Sequence, residues 1–232
     1  MEINKLKLFL PSFAYNFAKK IYHLLRYYNL INPNYSTSNN IYFGDKKTGN
    51  YLKEKIINSK TYLEFGSGNT TIFALENKKK YLSIESDRNF YFFLKKKNIK
   101  DIFFYSLGFV EFYSYPLFKN FFTKNLYKNK AKIYASNIFK RLNLRKTNPD
   151  LILVDGRYRV LCMLNIFIFL KENNLFDTCV ILDDYKDREY YQEINNYFKI
   201  DLFGRLGVCY LDNKVNLSKI ESLIEKYSDD PR

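Results

Sequence analysis

From Tyr51 onward, short β-rich apolar runs alternate with stretches whose apolar residues recur at helical spacing. The runs Thr61–Phe65, Lys80–Glu85, Asp101–Tyr105, Asp150–Val154 and Cys179–Asp183 predict strands. Between them, Thr70–Asn77, Arg88–Lys97, Asn125–Arg141 and Tyr158–Asn173 predict crossover helices, and a further helix is expected over Arg188–Phe198. Strand and helix in regular succession are the pattern of a parallel sheet with helices on its faces. Two closing β runs, Ile200–Phe203 and Val208–Leu211, flank Gly204-Arg205-Leu206-Gly207, a spacing that suits a tight antiparallel hairpin. The amphipathic Leu217–Tyr227 would cover one sheet face. The expected fold is α/β, with a doubly wound, mostly parallel seven-stranded sheet ending in a C-terminal antiparallel hairpin.

Ahead of this domain (41–232), residues 1–40 read as an N-terminal helical appendage and its linker, the Asn-, Ser- and Pro-rich 32–40. Leu6–Tyr28 mixes Leu, Phe, Tyr and Ile with Lys19, Lys20 and Arg26, and is interrupted by Pro11 and Asn16. It reads as a packing or dimerising helix, with a helix lying on an anionic membrane as the alternative. No stretch reaches the 18 or so apolar residues of a membrane span; the longest, Val160–Leu170, has the length of a buried helix. No small-residue cleavage site follows the N-terminal segment, so a cytoplasmic protein is expected, with peripheral membrane contact as the extension of that reading.

Composition narrows the chemistry. The 232 residues are 47% hydrophobic and 19% aromatic, which provides a sizeable core and excludes wholesale disorder. Three scattered cysteines (Cys162, Cys179, Cys209) and the single His23 exclude zinc fingers and argue against a disulfide framework or an imidazole-based triad. The net charge of +14 is uneven: residues 1–149 carry 27 Lys and Arg against nine Asp and Glu, whereas residues 150–232 carry 11 against 15. A basic front half suits nucleic acid, an anionic membrane face or an acidic polysaccharide. It is equally what compositional drift produces in a chain crowded with Lys, Asn, Ile, Phe and Tyr.

The strongest local signal is Tyr62-Leu63-Glu64-Phe65-Gly66-Ser67-Gly68-Asn69-Thr70-Thr71, an apolar strand running into a glycine-rich turn and then a helix. The glycines let the backbone turn sharply and approach a ligand, and helix-start amides face its anionic end. Thr71 stands where the dinucleotide fingerprint has a third glycine, which loosens the fit to NAD. Glu64 would repel a pyrophosphate but attract an ammonium. Glu85 ends the second strand 21 residues later, followed by Ser86, at the offset where an acid takes ribose hydroxyls. An acid for an amine, glycines for close approach and an acid for a ribose together describe S-adenosylmethionine better than NAD. The second constellation, Asp150-Leu151-Ile152-Leu153-Val154-Asp155-Gly156-Arg157-Tyr158-Arg159, delivers Asp155 to a strand end with Arg157 and Arg159 close behind. The third, ending in Asp183-Asp184, brings two more carboxylates to the next strand end. Three carboxylates on one rim either bind a hard divalent cation or raise one another's pKa and leave one poised as a base.

Over roughly residues 50–212 these motifs resemble the class I S-adenosylmethionine-dependent methyltransferases, and the resemblance implies a Rossmann-like fold. Carried over position by position, it implies that Glu64, Gly66, Ser67 and Gly68, with Asn69 and Thr70 following, cradle the methionine part. It implies that Glu85 and Ser86 meet the ribose and that Asp155 borders the cofactor. The pattern at Asp155 and Asp183–Asp184 is similar to bacterial sugar O-methyltransferases of the macrocin type, in which such acids bind magnesium. Arg157 departs from that pattern, since an acid is usual near that place and an arginine repels a metal. The expected function is therefore S-adenosylmethionine-dependent O-methylation of a sugar or polyol in a small molecule or glycan, within surface-glycan or secondary metabolism. Asp155, Asp183, Asp184 and Arg157 would be the catalytic residues, and the three carboxylates either a Mg2+ site or a metal-free base. Two alternatives remain at this level: a nucleic-acid methyltransferase using the basic half, and a non-catalytic cofactor-fold protein at the membrane. The aromatic stretch 106–124 (Phe109, Phe112, Tyr113, Tyr115, Phe118, Phe121, Phe122) reads as core packing, with a substrate wall as the alternative.

Overall fold

The computed structural model describes residues 7, 9–28, 30–31, 33, 35–37, 41–111, 115–118, 120, 122–212, 217 and 219–232. Phe112, Tyr113 and Phe121 of the aromatic stretch, and Asn32, Asn34 and Ser38–Asn40 of the linker, lie outside them.

Seven strands form one sheet: β1 (Thr61–Phe65), β2 (Lys80–Glu85), β3 (Ile102–Phe104), β4 (Leu151–Val154), β5 (Cys179–Leu182), β6 (Phe198–Phe203) and β7 (Leu206–Leu211). Their order is β3-β2-β1-β4-β5-β7-β6. The first five are parallel, and β7 runs antiparallel to both β5 and β6. This is the Rossmann-like, doubly wound arrangement, with its crossover between β1 and β4. Because both faces are covered, the central strands are apolar almost without interruption. Successive side chains still alternate: Leu63 and Phe65 enter one core with Ile152 and Val154, whereas Tyr62 enters the other with Leu151 and Leu153. The first core is closed by α5 (Lys124–Arg145), α6 (Arg159–Glu172) and α7 (Ile220–Tyr227); the second by α2 (Lys46–Asn58), α3 (Asn69–Glu76) and α4 (Arg88–Lys96).

Three elements differ from the sequence expectation. The helix α2 was not expected; Asp45 starts it, its carboxylate accepting from the Thr48 amide at 2.7 Å. That cap was readable in the sequence, but the low hydrophobicity of Lys46–Asn58 hid the helix that follows it. The helix expected over Arg188–Phe198 is a 3-10 helix, Glu189–Asn196. Eight residues wound that way cover about 16 Å, against about 12 Å in an α-helix, and so reach the start of β6 at Phe198. The hairpin turn is tighter than expected: Phe203 pairs with Leu206, leaving only Gly204-Arg205 between the strands. Gly204 has φ +60°, and a Cβ there would meet Thr48 Oγ1 at 2.0 Å, so the turn presses onto α2.

The appendage helix, α1 (Ser12–Tyr27), is bolted to the domain beside the end of β2. Arg26 is buried, pairs with Asp87 at 3.0 Å and donates to the Glu111 carbonyl at 3.1 Å. The Asn89 amide group donates to the Arg26 carbonyl at 2.7 Å, and Arg88 to the Tyr27 carbonyl at 2.7 Å. Phe13, Phe17 and Ile21 remain exposed along one face of α1. Among the described residues no helix is long and apolar enough to cross a membrane.

Candidate functional site

Strand register places the site. Phe65 lies opposite both Ile84 and Val154, and Val154 opposite Leu182, so Gly66, Glu85, Asp155 and Asp183 form the next row along one carboxyl edge. In open α/β sheets the crevice outside this edge, at the crossover of strand order, is where ligands bind. The β1 and β4 turns touch there. The Asp155 amide donates to the Phe65 carbonyl at 2.9 Å, and a Cβ on Gly66 (φ +95°) would fall 2.6 Å from the Gly156 nitrogen. Only glycine fits that backbone and that approach. At Gly68, by contrast, a Cβ would meet nothing within 4 Å, so the turn opens on free space.

Glu64 corrects the sequence reading. Its side chain lies under the turn, on the α3 face of β1, with no exposure, where it cannot meet an ammonium group directly. Its Oε1 accepts from the hydroxyls of Thr70 (2.8 Å) and Thr71 (2.9 Å), and Thr71 in turn accepts from the Gly68 amide. Glu64 therefore braces the glycine turn, and burial pushes its carboxyl up to about 7. Ser67 and Thr70 are also turned inward, Ser67 Oγ lying 2.7 Å from Ser83 Oγ, so this stretch offers a ligand mainly backbone. Asn69 opens α3 and is half-buried.

Glu85 stands at the end of β2. Its Oε1 accepts from the amides of Ser86 (2.6 Å) and Asp87 (2.7 Å), which fixes the side chain and leaves Ser86 buried in the turn. Among the described residues no hydrogen bond takes Glu85 Oε2. Burial is the first cause that pushes this carboxyl up to about 8, with the nearby Asp87 charge adding to it. A buried carboxyl with one oxygen uncommitted suits donors arriving from a ligand.

The three aspartates are together, as expected, but arginines hold them. Asp183 is 1% exposed and takes a bidentate pair from Arg205, at 2.8 and 2.7 Å. Asp184 lies within 3.3–3.5 Å of Arg159, Arg188 and Arg205. Asp155 pairs with Arg159 at 3.1 Å and keeps about a third of its side chain exposed, much as Asp184 does. Burial and the neighbouring Asp183 carboxylate hold the Asp155 carboxyl well above the usual carboxylate range, although Arg159 pulls the other way. The donor set does not fit magnesium: Asp183 is committed to Arg205, the oxygens of Asp184 face guanidinium groups, and the described residues bring together no three His, Cys, Asp or Glu side chains able to hold a metal ion.

Two arginines organise this rim: Arg159, which the sequence already set close behind Asp155, and Arg205, which it did not flag as a site residue. Arg159, buried on the first turn of α6, donates to the Asp183 carbonyl at 2.8 Å and the Gly156 carbonyl at 3.1 Å besides its two carboxylates. Arg205 comes from the hairpin, and only the antiparallel pairing of β7 with β5 carries it to Asp183. The signal for Arg159 was its place one turn beyond Asp155; nothing local flagged Arg205. Beside Asp155, across Arg159, a cleft of about 200 Å3 is lined by Tyr115, Arg157, Arg188, Tyr190 and Arg232 among others. Tyr115 thus belongs to a wall, whereas Phe109 packs against Tyr27 of α1. Arg157 stacks over the Tyr115 ring at 4.6 Å.

No protein-family model matches the chain, and no curated protein matches it in sequence. Among solved structures, it is similar to a methyltransferase-like protein from Silicibacter pomeroyi DSS-3, with a TM-score of 0.67 and 20% identity. The match covers 84% of this chain and 100% of that one. The likeness is one of fold.

Proposed function

We propose that this chain is an S-adenosylmethionine-dependent methyltransferase that methylates a hydroxyl of a sugar or polyol. The observation that carries the reading is the row Gly66, Glu85 and Asp155 on one carboxyl edge: a close-approach turn, a buried acid with an uncommitted oxygen, and a partly exposed acid beside a separate cleft. The likeness in fold to a methyltransferase-like protein adds support. The residues present fit the cofactor. Glu85 Oε2 would accept from ribose hydroxyls, and the turn at Gly66–Gly68, open beyond Gly68, would admit the methionine end against backbone.

When bound, S-adenosylmethionine supplies a sulfonium-activated methyl group. Asp155 takes up the proton of the acceptor hydroxyl, which is a poor nucleophile until that proton is accepted. Arg159 holds the Asp155 carboxyl in place, and burial with the neighbouring Asp183 raises the proton affinity of Asp155, so the proton settles there. The cleft holds the acceptor in line, and positioning of this kind supplies much of the rate.

The test is calorimetric titration of the full chain with S-adenosylhomocysteine and with NAD, followed by transfer of a labelled methyl group to a panel of sugars. Binding of the adenosyl compound alone, with label in a sugar, is the expected result. Binding of NAD alone, or of neither, would refute the cofactor reading.

A further inference from the structure

The cleft beside Asp155 has an unusual wall. The chain has 29 lysines and nine arginines, yet four of those nine, Arg157, Arg159, Arg188 and Arg232, line this one small space and no lysine does. They come from residues 150–232, the half in which acids outnumber bases, so compositional drift towards lysine does not account for them. Arginine is the residue whose planar fork meets carboxylate or phosphate oxygens two at a time.

The lining holds a single side-chain carboxylate, Asp184, already shared among Arg159, Arg188 and Arg205. Arg159 is buried and tied to Asp155 as part of the frame. Arg188 and Arg232 keep about half of their side chains exposed; Arg188 donates a 2.9 Å hydrogen bond to the Tyr190 hydroxyl, and Arg232 pairs with Asp230 and lies over the Tyr190 ring at 4.5 Å. Arg157 has no carboxylate within ion-pair distance among the described residues; its guanidinium lies over the Tyr115 ring at 4.6 Å. Like charges gathered in a partly enclosed space repel, and a compact anion removes that cost. At about 200 Å3 the cleft is smaller than the roughly 300–1,000 Å3 sites that enclose drug-sized ligands, so it takes one sugar-sized unit.

We propose that the cleft recognises an acidic acceptor, a sugar unit carrying a phosphate or a carboxylate, with Arg157 as the principal guanidinium and Arg188 and Arg232 beside it. The assignment of this anion as the methyl acceptor rests on the methyltransferase reading; the anion site itself does not.

The experiment is titration of the full chain with glucose 1-phosphate, glucuronate and glucose at constant ionic strength, with S-adenosylhomocysteine titrated in parallel. Wild type, Arg157→Gln, Arg157→Lys and the distant exposed Lys199→Gln are compared, with Arg188→Gln as an independent second removal should Arg157→Gln lose its fold. At least one of the two acids binds tenfold or more tightly than glucose, and which one identifies phosphate or carboxylate as the source. Arg157→Gln weakens that binding about tenfold, Arg157→Lys restores part of it, and Lys199→Gln leaves it unchanged. Equal binding of acids and glucose, no binding of either acid at 10 mM, or acid binding untouched in both Arg157→Gln and Arg188→Gln overturns the proposal. Acid binding that depends on Arg157, in a protein that ignores S-adenosylhomocysteine, keeps the anion site and removes the methyltransferase reading instead.

Discussion

Replacing Glu85 by Gln isolates the chemistry of the β2 terminus. The carboxyl is 6% exposed and titrates at about 8 rather than 4.5. At pH 6 only about one molecule in a hundred carries the charged form, at pH 7 about one in eleven, and at pH 8 half. Ribose hydroxyls donate best to the ionised acid, so affinity for S-adenosylhomocysteine should rise by about 50-fold from pH 6 to pH 8, about 2 kcal/mol, and level off above that. Glutamine keeps a carbonyl oxygen for the Ser86 and Asp87 amides but has nothing to titrate. Titration calorimetry at pH 6, 7, 8 and 8.5 should show the slope in wild type and its absence in Glu85→Gln, the ligand's own titration being common to both. The same variant gives a stability reading with a fixed sign. A carboxyl whose folded-state pKa is raised contributes stability that is complete below pH 4.5 and lost as pH rises to about 8. By pH 7 the wild type has lost about 3 kcal/mol that glutamine retains, so the urea midpoint of the variant should exceed that of wild type at pH 7 and match it near pH 4.5. Equal pH slopes for binding in the two proteins would show that Glu85 does not meet the ligand, and the ribose assignment would fall.

Four further outcomes follow from the geometry. Asp155→Asn should abolish methyl transfer while leaving S-adenosylhomocysteine affinity within a few-fold, and wild-type turnover should rise with pH through the raised Asp155 titration; unchanged turnover in the variant removes Asp155 from the mechanism. Gly66→Ala forces a side chain into φ +95° and against Gly156, so it should cost about 3 kcal/mol by urea unfolding and remove cofactor binding; a variant of wild-type stability would contradict the close turn. Arg205→Gln leaves the 1%-exposed Asp183 without its bidentate partner and should destabilise by about 3 kcal/mol, whereas Arg205→Gln combined with Asp183→Asn should recover part of the loss; no recovery would mean that the pair is not the cause. Burial, and then the Arg26 charge, lower His23 to about 4, so its contribution is present above pH 6.5 and lost as pH falls towards 4; the stability of His23→Leu should fall less steeply than that of wild type across that window, and parallel curves would exclude the imidazole as the acid-sensitive group.

Short-range chemistry determined most of the fold. The alternation of apolar runs and helical stretches placed β1 to β5 nearly to the residue, because strands buried on both faces must be apolar and the turns between them need glycine or polar residues. The same locality exposed Gly66, Glu85 and Asp155: each ends or directly follows a strand, and parallel pairing sends strand ends to one edge. Orientation and partnership were decided only by the tertiary structure. Period-two alternation placed Glu64 on the α3 side of β1, yet only the packing of Thr70 and Thr71 above it made the acid a brace beneath the turn. The separation of Asp155 from Asp183 and Asp184 depended on Arg205, 22 residues beyond Asp183 and brought back by an antiparallel hairpin. The arginine cleft draws on Tyr115, Arg157, Arg188 and Arg232, which no sequence spacing relates, because side chains from separate elements meet only when the sheet and its helices are packed.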